Sequence, residues 1–247
     1  MSEVPYPAPA TSDARISSGR PRGSDAPERT TSPPPRLEPG GGGYEGEVND
    51  SIQPGSAHRT AEDAPAPRAA RLRGILFDRD ATLVVDVPYN GDPALVEPMP
   101  TALDAVERAR EAGLKLGVVT NQSGIARGII DRAQADAVNR RVDELFGGFD
   151  AWMLCPHGPE DGCACRKPAP GMVLDAAQTL GLPAGSLAVI GDIGADVGAA
   201  AAAGARGVLV PTPITRAEEV AAAPLRAATL LEAVELLLAM QPDEDAE

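Results

Sequence analysis

Between residues 74 and 240, short apolar runs alternate with stretches of helical periodicity, and few folds accommodate that order. Gly74–Asp78, Leu114–Val119, Ala151–Leu154, Leu187–Ile190 and Gly207–Val210 read as buried strands, short and apolar on both sides. Between and after them lie five expected helices. Thr101 caps the first, which runs to about Ala112 with Leu103, Val106 and Ala109 as its apolar face and Gly113 as its stop. The second spans Asp131–Phe146, with Ala133, Ala137, Val142 and Leu145 facing inward. Gly171–Leu180, the Ala-rich Ala195–Ala203 and Thr229–Met240 complete the set. Such an order implies βαβ units with right-handed crossovers, hence an α/β fold: a parallel sheet with helices on both faces.

Polar clusters fall where the first, second and fourth strands end, and another precedes the helix at residue 171. In an open parallel sheet, ligands bind outside the carboxyl ends of the strands. Asp78 and Asp80 follow strand one on alternate positions, with Thr82 two residues on. Alone, this stretch reads as a solvated turn. Thr120, Asn121, Gln122 and Ser123 follow strand two, where hydroxyl, amide and backbone N–H groups can cradle a phosphoryl group. Gly191-Asp192 closes strand four, with Asp196 one helical turn on; Asp192 alone also reads as a helix N-cap. Gly191 lets the backbone approach closely. Lys167, between Arg166 and Pro168, brings a positive charge to the same edge. An unpaired Asp pair repels, so a divalent cation is the natural partner, and hard oxygen ligands suit Mg²⁺. These are the parts of a phosphoryl-transfer site: a carboxylate nucleophile, an acid/base, a metal, a hydroxyl and a lysine.

All three cysteines lie between Cys155 and Cys165. Cys155-x-His157 and Cys163-x-Cys165 offer four ligands, the usual number for structural zinc. Buried thiols, or a strained Cys163–Cys165 disulfide, are the alternatives. The clustering favours a metal in a reducing compartment, so the protein is expected in the cytoplasm.

Composition divides the chain near residue 70. The first 68 residues hold 12 of the 25 prolines and only five Val, Ile or Leu. Such a segment cannot bury enough apolar surface to offset its ordering entropy, so residues 1–70 are expected to be a disordered tail and 71–247 the folded domain. A net charge of −14 argues against a nucleic-acid partner. No run of 18 apolar residues or signal-like N-terminus points to a membrane or to secretion. The expected partner is a small phosphate ester, and the chain is read as a monomer.

In order, Asp78-x-Asp80-x-Thr82, Thr120-Asn121, Lys167 and Gly191-Asp192-x-x-x-Asp196 resemble the motifs of the haloacid dehalogenase (HAD) phosphohydrolases across residues ~73–215. Val119-Thr120-Asn121-Gln122-Ser123-Gly124-Ile125-Ala126-Arg127-Gly128 and Cys165-Arg166-Lys167-Pro168-x-Pro170-Gly171-Met172 are similar to the branch holding the D-glycero-D-manno-heptose-1,7-bisphosphate 7-phosphatases and the histidinol-phosphate phosphatases. The resemblance implies a Rossmann-like HAD fold without a large cap domain. It implies Asp78 as nucleophile and Asp80 as proton donor, then base. Thr120 and Lys167 would neutralise the phosphoryl group. Mg²⁺ would be held by Asp78, the Asp80 carbonyl and Asp192. Arg166, Asp86 and Tyr89 would contact substrate, and Cys155, His157, Cys163 and Cys165 would hold structural zinc.

Two positions depart from the pattern. Ala81 stands where the family usually has Gly, a change without cost if its φ is negative. Ile193 stands where the heptose enzymes often have Lys, so one phosphate-contacting charge is absent. The expected activity is hydrolysis of a sugar bisphosphate, with histidinol phosphate second and a non-catalytic, zinc-stabilised partner-binding module third.

Overall fold

The computed structural model describes residues 70–241, so the expected tail lies, up to residue 69, outside the described residues. Five strands form one parallel sheet: β1 (Gly74–Phe77), β2 (Lys115–Asn121), β3 (Ala151–Cys155), β4 (Leu187–Gly191) and β5 (Arg206–Leu209). Their spatial order is β3-β2-β1-β4-β5. The chain moves outward from β1 through β2 to β3, then crosses back to β4 on the other side. The strand order therefore reverses between β1 and β4, and a crevice opens there at the carboxyl ends.

Every residue of β1 and β4 is buried. Ile75 and Phe77 face one side, against α1 (Ala102–Glu111), α3 (Arg132–Leu145) and α7 (Leu230–Ala239). Leu76 faces the other, against α4 (Gly171–Leu180) and α5 (Gly194–Ala203). Each fully buried side chain of this size contributes roughly 1.5–3 kcal/mol. Covering both faces in this way holds the carboxyl ends of β1, β2 and β4 side by side, which is what the site needs. Two short helices, α2 (Ser123–Ala126) and α6 (Ala217–Ala222), complete the set. No helix among the described residues is long and apolar enough to cross a membrane.

The structure corrects several local expectations. The buried stripe of α1 is Ala102, Ala105, Val106 and Ala109, while Leu103 is 43% exposed. That of α3 is Ala135, Val138 and Val142; Ala133 is exposed, and Ala137 and Leu145 are only half-buried. In both helices small residues carry the contact face, so side-chain size is a poor guide to its phase. Thr101 occupies the N-cap position but is left-handed, with φ 64°, and makes no side-chain cap. Its hydroxyl instead accepts a hydrogen bond from the Leu231 N–H (3.4 Å), tying the start of α1 to that of α7. A capping box between Asp131 and Gln134 starts α3, and the Thr229 hydroxyl caps α7. Strand β2 runs on to Asn121, so Thr120 and Asn121 end the strand rather than follow it.

Candidate active site

Asp78 and Asp80 leave β1, Thr120 and Asn121 end β2, and Asp192 follows β4. Lys167 arrives from the loop between β3 and α4. A cavity of about 370 Å³ opens over this edge. Of the residues expected at the site, Asp78, Asp80, Asp86, Tyr89, Asn121, Gln122, Ser123, Lys167 and Asp192 line it. Thr120 and Arg166 do not. Thr120 is fully buried, and its hydroxyl accepts a hydrogen bond from Gln122 Nε2 (2.8 Å). The Arg166 guanidinium donates to the His157 carbonyl (3.2 Å).

Lys167, 4% exposed, is the hub. Its Nζ lies 2.5 Å from Asp78 Oδ1 and 2.6 Å from Asp196 Oδ1, and donates to the Val119 carbonyl at 2.8 Å. Of its three protons, two are hydrogen-bonded to Asp78 and to the Val119 carbonyl, and Asp196 Oδ1 pairs with the ammonium through charge. Asn121 fixes the lysine's main chain: its Oδ1 accepts from the Lys167 N–H (3.1 Å), and its Nδ2 donates to the Lys167 carbonyl (3.2 Å). The Asn121 side chain thus positions the lysine.

Ligand oxygens of Asp78, Asp192 and Asp196 lie within 4.8 Å of one another. One ammonium cannot neutralise three carboxylates. Burial, reinforced by Asp196 and Asp80 and opposed by Lys167, pushes Asp78 up to about 8. Burial and then Asp196 push Asp192 up to about 7. The Lys167 ammonium is held protonated by Asp196 and Asp78, which outweigh its desolvation. A compact all-oxygen set with surplus negative charge fits a hard divalent cation such as Mg²⁺. The Asp80 carboxylate is outside this set; its expected contribution is its backbone carbonyl. Asp196, in the first turn of α5, accepts from the Ile193 N–H through Oδ2 (3.2 Å), so Ile193 rather than Asp192 is the N-cap residue. A Cβ on Gly191 would collide with the Asp196 carboxylate, which is the close approach that this glycine permits.

Arg79 is not among the residues expected at the site from sequence, yet it belongs there. It lies between the two aspartates and is 1% exposed. Its Nε and Nη2 donate to the two oxygens of Asp80, both at 3.0 Å, and its Nη1 donates to Asn139 Oδ1 on α3 at 2.6 Å. Gln122 Nε2 adds a further donor to Asp80 Oδ2 (2.8 Å).

Ala81 has φ 57°, so the condition for a cost-free alanine fails. The left-handed region costs an L-residue roughly 1–2 kcal/mol. Glycine removes that strain and regains part of it as unfolded-state entropy. Ala81→Gly is therefore expected to raise stability by about 1 kcal/mol, read as a higher denaturant midpoint with unchanged m-value. Tyr89, also left-handed at φ 54°, accepts a hydrogen bond from Arg127 Nη1 (2.8 Å) and stacks beneath its guanidinium, 5.7 Å from the ring centre. Burial, then the Asp80 charge, raises the Asp86 carboxyl.

Beside the cavity, Cys155, His157, Cys163 and Cys165 converge. The Sγ–Sγ separations are 3.2, 3.4 and 3.7 Å, and His157 Nδ1 lies 3.2 Å from Cys165 Sγ and 3.6 Å from Cys155 Sγ. The three cysteines are free, which removes the disulfide alternative. Tetrahedral zinc with bonds near 2.3 Å separates its sulfurs by about 3.8 Å, so these four groups fit that ion after small relaxation. Burial, with the neighbouring thiols, pushes Cys165 up to about 12. Arg166 and Lys167 follow Cys165 directly, so the cluster and the lysine share one short segment.

An open parallel sheet that gathers an Asp pair, a shared lysine and a further acidic pair at its carboxyl edge defines a HAD-type phosphoric monoester hydrolase, and a HAD-hydrolase-like family profile matches residues 164–237. The D-glycero-beta-D-manno-heptose-1,7-bisphosphate 7-phosphatase of Bordetella bronchiseptica is 38% identical over 150 residues, 57% of this chain and 82% of that protein. The enzyme of that name from Mesorhizobium japonicum is 38% identical over 182 residues, 67% of this chain and 84% of that protein. A crystal structure of the B. bronchiseptica D,D-heptose 1,7-bisphosphate phosphatase, complexed with magnesium and phosphate, superposes with a TM-score of 0.61 at 33% identity, covering 68% of this chain and 99% of that one. The chain belongs to this family of HAD phosphatases.

Proposed function

We propose that the protein is a Mg²⁺-dependent phosphatase that removes one phosphate from a sugar bisphosphate, the 7-phosphate of D-glycero-D-manno-heptose 1,7-bisphosphate in the first instance. The observation that carries this reading is the ammonium of Lys167 shared by two buried carboxylates, with Asp192 completing an acidic cluster in the cavity. Asp78 attacks phosphorus and becomes the aspartyl phosphate. Asp80 gives a proton to the departing alkoxide and then takes one from the water that hydrolyses the acyl phosphate. Lys167 holds the nucleophile in place and faces the phosphoryl oxygens. Asp78, the Asp80 carbonyl and Asp192 would hold Mg²⁺, which supplies positive charge against that building on the phosphoryl group. Asp196 serves as counter-charge to Lys167. The names of the relatives above support the heptose substrate.

A second substrate, histidinol phosphate, is favoured by one feature. Ile193, where the heptose enzymes often have Lys, and Ile214, which is 74% exposed, line the cavity, so neither position supplies a cation for a second phosphate. Steady-state assays with Mg²⁺ on both compounds decide. A higher kcat/KM on heptose bisphosphate is expected, and a higher value on histidinol phosphate reverses the assignment.

Cys155, His157, Cys163 and Cys165 hold structural zinc in this reading, since four protein ligands leave no open position. Free thiols in such a cluster suit a reducing, cytoplasmic setting. The zinc fixes the segment that carries Arg166 and Lys167. Cys163→Ser, shown zinc-free by metal analysis, is expected to lose about tenfold or more in kcat/KM, the scale on which small misplacements act. Full activity in zinc-free protein would separate the loop from catalysis.

A further inference from the structure

The relation between Arg79 and Asp80 goes beyond the reading just given and rests on its assignment of Asp80 as acid/base. Both residues border the cavity, but the Asp80 side chain is 28% exposed there and that of Arg79 only 1%. The guanidinium therefore lies behind the carboxylate and leaves its front open to an ester. Two parallel N–H···O bonds from a planar fork fix the carboxylate plane, which a single donor cannot do. The fork is itself anchored. Leu83 and Val84 donate their N–H groups to the Arg79 carbonyl, both at 3.0 Å, and Asn139 accepts from Nη1 at 2.6 Å. A buried ion pair of this kind contributes little net stability against hydrophobic packing, so its effect is on geometry.

We propose that Arg79, held from behind by Asn139, is a positioning residue that aims the Asp80 carboxyl at the leaving-group oxygen. In the step concerned, the Asp78–phosphorus bond forms, the phosphorus–ester oxygen bond breaks, and the proton of Asp80 passes to that oxygen. The benefit of a well-aimed acid scales with the basicity of the leaving oxygen. A 4-nitrophenolate departs as a stable anion and needs no proton, whereas phenolate or an alkoxide does.

The test compares kcat/KM on phenyl phosphate and on 4-nitrophenyl phosphate, with Mg²⁺ and full-length protein. That parameter reports steps only through formation of the phosphoenzyme, so the later base role of Asp80 does not enter. Asn139→Ala changes a half-buried helix residue and keeps the test independent of whether a buried Arg79→Lys protein folds. In Asn139→Ala, and more strongly in Arg79→Lys, kcat/KM on phenyl phosphate is expected to fall by about tenfold or more, part of the roughly 10²–10⁴ available from general acid catalysis. On 4-nitrophenyl phosphate the fall stays within about threefold. Asn139→Asp, which keeps an acceptor for Nη1, restores the phenyl phosphate value. Equal losses on both esters, or no loss in Asn139→Ala, would overturn the proposal. Asp80→Asn separates the acid role of Asp80 from the positioning role of Arg79. If it discriminates between the esters while the Asn139 and Arg79 variants do not, only the positioning role fails. If it does not discriminate either, the acid role of Asp80 fails and the clamp has nothing to aim.

Discussion

Asp78→Asn is expected to lower phosphate release by about 10³-fold or more while leaving the protein folded. The amide is close in shape to the carboxylate, so the cavity keeps its form, but its oxygen no longer carries the charge that attacks phosphorus. Lys167 is not stranded: Asp196 remains 2.6 Å away and the Val119 carbonyl 2.8 Å away. The pH dependence of stability provides a second reading of the same variant. Without Mg²⁺, burial raises Asp78 to about 8 and Asp192 to about 7, from 3.8 for an unperturbed Asp. Between those values the folded protein binds protons that the unfolded chain has released, so stability falls as pH rises from about 4 towards about 8. Asn at position 78 removes the Asp78 part of that slope. Thermal melts of zinc-loaded, Mg²⁺-free protein at about pH 5 and about pH 8 should therefore differ less for the variant than for the wild type. Phosphate release near the wild-type rate in Asp78→Asn would rule out the proposed nucleophile.

The parts of this molecule that could be read from sequence share a physical reason. β1 and β4 are buried on both faces and so appear as unbroken apolar runs, and the residues just beyond them, Asp78 and Asp192, can only lie at the ligand edge. Lys167 was legible through its neighbours in the chain rather than through any contact. What stayed hidden depends on tertiary placement. Arg79 looks like a surface residue because nothing in its local sequence shows that Asn139, 60 positions on, receives its guanidinium. Gln122 reads as a substrate contact, and nothing in the sequence shows that its Nε2 also donates to Asp80 and Thr120. Asp196 was seen as a neighbour of Asp192, but its salt bridge to Lys167 gives it a separate task. The sign of φ at Ala81 depends on how the loop returns to pair Asp80 with Val84, which composition does not encode. α2 and α6 are too short to announce themselves, since a helix of one or two turns forms only when tertiary contacts hold it.

The sharpest separation of folding from chemistry in this site comes from Lys167→Met, which is expected to damage both. Methionine fills much of the same space but removes the one cation that Asp78 and Asp196 share. Asp196 is fully buried and Asp78 nearly so, so both carboxylates lose their counter-charge out of reach of water. Removing one partner of a buried ion pair costs roughly 3–5 kcal/mol. For a domain of this size that is on the order of 10 °C in Tm. Asp196→Asn in the same chain removes one of the stranded charges and should recover a large part of the loss, because the two residues act as one electrostatic unit. Turnover should not recover. The phosphoryl oxygens still lack the lysine's charge, and losing one such preorganised donor costs about 10²–10³ in kcat. A double variant that regains Tm but stays inactive gives Lys167 both roles, counter-charge in the folded protein and electrostatic partner of the phosphoryl group. A double variant that regains turnover along with Tm would show that the lysine's work is confined to holding Asp78 and Asp196 together.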